Sequence, residues 1–242
     1  ALGLSLLLSS AVAQDAGKDG ELTAGLEILK KADAAAKALK AVQYKAVAKG
    51  LGADEARLPK VEGTAVMSGW LNSAPQKFRY EVKVQRPGSS EIEEYSAGSD
   101  GNMVYLVDPS KKIAYEDIDP AVLGSNARVV GSVAVRKLLN PEAFADEIKA
   151  EKVELKGMAT IGDHDCYEVH VHYDKDEGDG VWFFSKKDFL PRRIDRMFPT
   201  RNGETGGRQT ILTDLVVNPK LDNNAFKLTL PEGFTKTDDF AP

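Results

Sequence analysis

Apolar and polar residues alternate strictly along residues 166–173, where every second side chain is large and apolar or aromatic. Side chains of a strand point alternately to the two sides of its sheet, so this period of two predicts a strand with one buried and one solvated face. Charged turns separate it from two further apolar runs, at residues 181–185 and 190–194. Residues 164–197 are therefore predicted to form a meander of antiparallel strands.

The same alternation covers most of the chain after residue 43 and is cleanest between residues 77 and 84. Turn signals such as Pro87-Gly88 and Asp100-Gly101 separate the runs, which predicts hairpins. Together with the meander, these runs predict about ten antiparallel strands. The further segments are residues 61–71, 91–97, 102–108, 112–117, 153–161, 209–217 and 221–230.

Two segments follow a helical period instead. Between residues 21 and 42, apolar side chains recur at intervals of three and four opposite a row of lysines, which predicts an amphipathic helix that packs on the sheet. Residues 120–149 fit helical spacing around Asn140-Pro141 and predict two short helices. The predicted fold is α+β: a curved antiparallel sheet forming an incomplete β-barrel, with the N-terminal helix and a short helical insertion as a lid. The apolar positions of the first helix are Leu22, Leu26, Leu29, Ala32, Ala36 and Leu39.

The first residues predict a secretion signal. Residues 2–8 are apolar, uncharged and too few to span a bilayer, and Ala11-Val12-Ala13 has the small-x-small form of a cleavage site. We therefore expect residues 1–13 to be a signal peptide and residues 14–242 to form a single domain, released into the periplasm or outside the cell. The alternative is an apolar N-terminal helix of the mature fold.

Charge and cysteine content narrow the classes of function. The chain has 242 residues and a formal net charge of −5, which argues against nucleic acid as a partner and against a polybasic membrane-binding surface. Its one cysteine, Cys166, excludes an intrachain disulfide and a cysteine-rich zinc site, and it lies far from the predicted cleavage site, so no acyl anchor is expected there. No cofactor is predicted.

Candidate catalytic residues are few. His164, His170 and His172 share a strand face with Cys166, and alternate residues on a strand lie about 6–7 Å apart, close enough for two histidines to chelate one metal ion. Because the opposite face is apolar, we favour histidines in solvent, and a metal-assisted hydrolase is the third hypothesis. Residues 203–208 lack the Gly-x-Gly-x-x-Gly spacing and predict a hairpin loop. No nucleophile motif is found, so an enzyme is not expected.

A curled sheet beneath a helical lid can hold an apolar ligand without any catalytic group. The predicted cavity wall consists of large or β-branched residues on predicted strands, and ordinary core packing is the alternative for each of them. The second hypothesis is an interaction module of the cell envelope that docks a protein through a sheet edge or the insertion. The predicted wall residues are Phe78, Tyr80, Val82, Val84, Tyr105, Val169, Val171 and Trp182.

Four groups of residues carry a family resemblance by their order. They are the helix at 22–39, residues 99–105 with 112–115, residues 162–169 with 181–184 and 190–193, and residues 221–226 with 231–234. In this order they resemble the superfamily of periplasmic lipoprotein-sorting carriers of the LolA and LolB type. The resemblance is closer to its uncharacterised branches, some of which stand before a thioredoxin-like domain. The resemblance implies an incomplete antiparallel barrel with helices as a lid over a cavity that accepts acyl chains. The leading hypothesis is thus an exported, non-catalytic carrier or sensor whose partner is an acyl chain or a lipoprotein.

Overall fold

A single sheet of twelve strands forms the body of the protein, in a computed structural model that describes residues 9–72, 74–174, 177–200, 202–222 and 224–239. The strands are β1 (Ala41–Gly52), β2 (Lys60–Leu71), β3 (Ala74–Gln85), β4 (Ile92–Ser99), β5 (Val104–Asp108), β6 (Ile113–Asp117), β7 (Lys152–Ile161), β8 (His164–His172), β9 (Asp179–Ser185), β10 (Pro191–Pro199), β11 (Thr205–Val217) and β12 (Thr235–Thr237).

The sheet is curved and open, and its strand order is β12-β6-β5-β4-β3-β2-β1-β11-β10-β9-β8-β7. Neighbouring strands are antiparallel except β12, which runs parallel to β6. The chain thus forms two antiparallel meanders, and the antiparallel pairing of β1 with β11 joins them. This architecture confirms the predicted α+β fold with an incomplete barrel, although the strands number twelve instead of about ten.

The N-terminal helix, α1, spans Ser9–Lys37 and packs on β7. Its predicted apolar stripe is confirmed at Leu29, Ala32 and Ala36, which have no exposed surface, but the helix ends before Leu39, and residue 42 lies on β1. Gly25 permits close contact, because a Cβ there would lie 2.9 Å from the backbone nitrogen of Leu155 on β7. Residues 1–8 of the predicted signal peptide lie outside the described residues, and the rest of it falls at the start of α1. The signal peptide therefore stays a prediction.

Residues 120–150, called the helical insertion below, form a chain of short turns where two helices were predicted. Valines and Gly131 have modest or low helix propensity, and Pro141 cannot continue a helix, so no turn grows long. The insertion buries Val133, Leu138 and Phe144 completely. Its helical pieces are Pro120–Asn126, α2 (Ala127–Val130), Gly131–Val133, Arg136–Leu138 and α3 (Ala145–Ile148).

The insertion covers one side of the sheet, called the inner face below. This face contributes a row of buried residues from β1, β2, β3, β8, β9 and β11, and they join the insertion and α1 in one apolar core. Cross-strand register explains the row, because Tyr44 pairs with Ala65 and Ala65 pairs with Tyr80. Residues of the row include Val42, Tyr44, Met67, Tyr80, Val84, Val169, Trp182, Phe184 and Leu212.

The C-terminal segment covers part of the opposite, outer face. Leu228 and Phe234 pack there against Tyr105 and two further buried residues of β5 and β6, Val107 and Ala114. Two sequence expectations are therefore wrong. Residues 221–230 form turns and irregular backbone in their described part instead of a strand. Tyr105 belongs to the outer cluster and is not part of the inner wall.

The solvated face of β8 also differs from its prediction at one position. Cys166 has no exposed surface, although it alternates with the polar residues of the strand. It pairs across the sheet with Ser185, and burial raises the pKa of its thiol to about 11. Ser185 and Arg192 are buried as well, at 1% and 3% exposure. Cys166 and Ser185 thus form a buried pair on β8 and β9, and Arg192 is buried at an irregularity of the neighbouring β10.

Candidate ligand-binding site

A cleft of about 790 Å³ lies between the helical insertion and the sheet. Its volume falls within the range of about 300–1,000 Å³ that small-molecule sites occupy. The sequence contains two tryptophans, Trp70 on β2 and Trp182 on β9, and both line the cleft. Ile194 of β10 adds a further apolar wall. The cleft thus combines an aromatic and aliphatic lining with partial access to solvent.

Aromatic packing fixes the deeper wall of the cleft. The indole of Trp182 stacks on Phe184, with ring centroids 5.9 Å apart, and both are approached edge-on by Phe144 at 5.2 and 5.3 Å. Edge-to-face aromatic pairs contribute about 0.5–1.5 kcal/mol beyond their buried area. Phe144 belongs to the insertion, so the same contact that holds Trp182 in place also seats the insertion on the sheet.

The side chain of Tyr44, on β1, binds two backbone groups of the insertion. The Tyr44 hydroxyl donates to the Val133 carbonyl oxygen at 3.0 Å and accepts from the Val135 amide nitrogen at 2.7 Å. Burial raises the pKa of Tyr44 well above its usual range, so the hydroxyl stays protonated and able to donate. A single side chain therefore satisfies two buried backbone groups of a segment that lacks long helices.

A buried carboxylate joins the other end of the insertion to the sheet. Glu147 is 2% exposed, and its oxygens accept hydrogen bonds from Lys137 Nζ at 2.7 Å and from the Tyr173 hydroxyl at 2.9 Å. The Tyr173 oxygen in turn accepts from Trp182 Nε1 at 3.4 Å. This chain of contacts ends at the cleft wall, so the position of Trp182 depends on the insertion.

The ionisable lining of the cleft includes more cations than acids. Arg136, Lys137 and Arg208 line it together with Glu142 and Asp146. Lys137 is neutralised by Glu147, and its nitrogen also lies 3.6 Å from an Asp146 oxygen. The described carboxylates form no ion pair with either arginine. The cleft therefore presents two arginines that have no ion-pair partner among the described residues, together with the carboxylates of Glu142 and Asp146.

The predicted wall residues occupy four kinds of position. Trp182 lines the cleft, whereas Tyr105 lies on the outer face. Phe78 is half-buried, and its ring stacks on Tyr80 at 4.9 Å between centroids. The residues of the predicted wall that are buried in the apolar core are Tyr80, Val82, Val84, Val169 and Val171.

Sequence reasoning missed most of the lining of the cleft. Trp70 and Ile194 lie on strands that were recognised, but Arg136 and its neighbours lie on the insertion, whose path over the sheet has no short-range signal. Arg208 was also missed, because residues 203–208 were predicted to form a hairpin loop, whereas Arg208 lies on β11. The residues of the lining come together only because the insertion packs on the inner face.

The three histidines lie near acidic residues and outside the lining of the cleft. His170 Nε2 is 2.7 Å from Glu168, and His172 lies between Asp179 at 2.9 Å and Glu154 at 3.3 Å. His164 Nε2 is 3.2 Å from Asp163. In the part of the chain that the structure describes, no group of three or more metal-ligating side chains converges.

A second cleft, of about 650 Å³, lies on the outer face beneath Pro231 and Phe234. Charged side chains of β1 to β4, such as Lys83 and Glu94, line much of it, and these two form an ion pair at 3.2 Å. Neither tryptophan lines this cleft.

None of the helices in the described ranges has the length and apolar character needed to cross a membrane.

No protein-family model and no curated protein sequence matches the chain. Solved structures do match. LprF from Mycobacterium bovis is 14% identical with a TM-score of 0.47, over 89% of this chain and 99% of LprF. The lipoprotein LppX from Mycobacterium tuberculosis is 10% identical with a TM-score of 0.47, over 81% of this chain and 97% of LppX.

A provisionally named outer membrane lipoprotein-sorting protein domain from Vibrio parahaemolyticus is 12% identical with a TM-score of 0.36, over 85% of this chain and 97% of that domain. Identities of 10–14% concern the fold alone, so the function has to be argued from the cleft itself.

Proposed function

We propose that this protein is a non-catalytic carrier or sensor that holds an acyl chain, or another elongated apolar ligand, in the cleft between the helical insertion and the sheet. The observation that carries the proposal is the cleft of about 790 Å³ whose walls include Trp70, Trp182 and Ile194. Transfer of a methylene group from water to such a wall contributes about 0.8 kcal/mol. A chain of several methylenes therefore binds through its length and needs no sequence motif.

The way in which the insertion is attached supports a carrier. Tyr44 and Glu147 hold it at two separate places, while Pro141 and Asn140 between those places line the cleft. The two attachments therefore hold the insertion over the sheet on both sides of this part of the cleft. A pre-formed site of this kind lowers the conformational cost of binding.

The polar groups at the cleft support binding over catalysis. Lys137 is held by Glu147, and the three histidines lie elsewhere on the sheet. Export to the periplasm or to the outside of the cell belongs to the same proposal, and it rests on the predicted signal peptide at residues 1–13. The natural ligand would then be an acyl chain or the lipid part of a lipoprotein.

Tryptophan fluorescence tests the proposal directly, because both tryptophans line the cleft and neither lines the outer cleft. Brominated stearic acid quenches an indole that it contacts. We expect saturable quenching at one ligand per chain, reversed by unbrominated stearic acid. Quenching that rises without saturation, or none at all, would contradict the proposal.

A matched pair of variants on one strand sharpens the test. Trp70→Ser shortens a wall residue of the cleft, whereas Leu71→Ser changes its exposed neighbour, which does not line the cleft. We expect the first to weaken binding about tenfold, or ~1.4 kcal/mol, and the second to leave it unchanged. Circular dichroism melts establish that both variants are folded. Equal effects of the two substitutions would place the ligand elsewhere.

A further inference from the structure

Arg208 is a half-buried cation without a described counter-ion. It lies on β11, its register partner on β1 is Gly50, and its side chain lines the cleft. Among the described residues, no carboxylate lies within ion-pair distance of its guanidinium; Asp54, on the same side of the strand, lies over Gly206 instead. Desolvation by burial lowers the pKa of Arg208. Partial burial of an unpaired charge is unfavourable, so an anionic partner would be stabilising.

A second arginine stands directly opposite. Arg196 of β10 pairs in register with Arg208. Its guanidinium stacks on Tyr173 at 3.9 Å from the ring centroid and donates to the Glu177 carbonyl oxygen at 3.0 Å. Two like charges opposite each other on neighbouring strands are destabilising. The groups that engage Arg196 are neutral, so its positive charge adds to that of Arg208 on this part of the sheet.

The remaining cations of the cleft differ in their availability. Lys137 is bound to Glu147, whereas Arg136 is exposed and makes no ion pair with a described residue. Arginine presents a planar fork of donors that matches a carboxylate or a phosphate. The cleft therefore has an apolar wall for a chain and free arginine donors for an acidic group.

We infer that the ligand of this cleft is an anionic amphiphile: a single apolar chain that ends in a carboxylate or a phosphate, with the acidic head group bound by Arg208. The inference rests on the proposed function and adds the chemistry of the head group. Arg136 supplies a second positive charge at the same cleft. A neutral lipid of equal chain length fills the apolar wall but leaves Arg208 without its partner.

Three ligands of equal chain length separate the contribution of the head group to affinity from that of the apolar chain. They are dodecanoic acid, dodecyl phosphate and dodecanol. Each is titrated by its displacement of brominated stearic acid from the full-length protein. We expect the acid, the phosphate or both to bind at least tenfold more tightly than the alcohol. The two acidic arms also distinguish a fatty acid from a phosphate-bearing lipid.

Variants of Arg208 test whether this residue binds the head group. Arg208→Gln is expected to reduce affinity for the acidic ligands to that of dodecanol while leaving dodecanol unchanged, and Arg208→Lys is expected to restore most of the preference. Arg128→Gln, which removes an exposed charge outside the cleft, is the matched control and should have no effect. Melting curves verify that each variant is folded.

The outcomes separate the two proposals. If the wild-type protein binds all three ligands alike, or if Arg208→Gln weakens all three equally, the head-group inference is wrong and the carrier function stands. If the wild-type protein binds none of the three and stearic acid also fails, the carrier function is wrong and the inference is lost with it.

Discussion

The Tyr173 hydroxyl donates a hydrogen bond of 2.9 Å to Glu147 and thereby joins the end of β8 to the helical insertion. Glu147 is 2% exposed, and the Lys137 ammonium 2.7 Å away balances its charge. A buried carboxylate without a cation is strongly unfavourable, so the three residues depend on one another. The attachment of the insertion is therefore electrostatic as well as apolar.

Breaking this ion pair from one side is expected to destabilise the protein. Glu147→Gln and Lys137→Met should each lower the free energy of unfolding by about 1–3 kcal/mol. Lys137→Met leaves the buried Glu147 carboxylate without its cation, and Glu147→Gln leaves the partly buried Lys137 ammonium with Asp146 alone. The double variant removes both charges and should lose less than the sum of the two single losses by about 0.5–3 kcal/mol. Urea unfolding of the four proteins measures the difference. Strictly additive losses would show that the pair does not act as a unit.

Tyr44→Phe is expected to loosen the insertion without changing the shape of the core. The substitution deletes the hydroxyl that bonds to Val133 and Val135 and leaves two buried backbone groups unpaired. We expect a loss of about 1–3 kcal/mol in unfolding free energy. Amide hydrogen exchange should become faster in the insertion, including residues 133–139, while the amides of β1 keep their protection.

Tyr95→Phe is the control for this prediction. The Tyr95 hydroxyl donates to Glu93 at 2.7 Å, and Glu93 also pairs with Arg86 near the surface. Its removal leaves partners that water can reach, so the loss should stay below about 1 kcal/mol. Similar losses in both variants would mean that the Tyr44 hydroxyl has no special role in holding the insertion.

Glu154 makes the stability depend on acid pH. Hydrogen bonds from Lys152 and Lys156, at 2.8 and 3.0 Å, hold the pKa of Glu154 at about 2, below its ordinary value of 4.5. A depressed pKa in the folded state stabilises it above pH 4.5, and this contribution is lost as the pH falls towards 2. Since the lysine side chains are 49% and 39% exposed, we expect only about 1 kcal/mol.

The measurement compares wild type with Glu154→Gln by urea unfolding at several pH values. The variant should be less stable by about 1 kcal/mol at pH 7, and the gap should narrow as the pH drops below 4.5. Glu151→Gln changes an exposed neighbour and should show no gap at any pH. A gap that stays constant down to pH 3 would exclude the assigned titration.

The sequence predicted the strands because most of them have one covered face, and the alternation of β3 matches its burial from Tyr80 to Gln85. Tyr105 was misplaced because all five residues of β5 are buried, so its pattern cannot say which face meets the core. The parallel pairing of β12 brings Thr235 beside Ile113, a contact between residues more than a hundred positions apart. The hydrophobic periodicity within one strand does not indicate which distant strand it pairs with.

The candidate site was less predictable than the fold. Trp182 was identified because it lies on a strand with a clear pattern, whereas Arg136 and Glu147 become informative only when the insertion packs on the sheet. Cys166 was expected in solvent, but alternation describes only the strand itself and is blind to what else packs on its outer face. Alternation predicts which face of the sheet a side chain points to, but it does not predict what packs on that face.

Two glycines of α1 provide opposite predictions within one helix. Alanine has higher helix propensity than glycine, so Gly20→Ala, where a Cβ meets no atom within 4 Å, should stabilise the protein by about 0.5–1 kcal/mol. Gly25→Ala gains the same propensity but places its Cβ 2.9 Å from the Leu155 nitrogen and 3.0 Å from the Glu154 carbonyl carbon. These are backbone atoms of β7 and cannot rotate away, so α1 must move outwards. Overpacking costs about 1–3 kcal/mol, which exceeds the gain. Thermal unfolding of the two variants should therefore shift in opposite directions, and faster hydrogen exchange in β7 should accompany only Gly25→Ala. An equal rise in both melting temperatures would show that α1 does not approach β7 this closely.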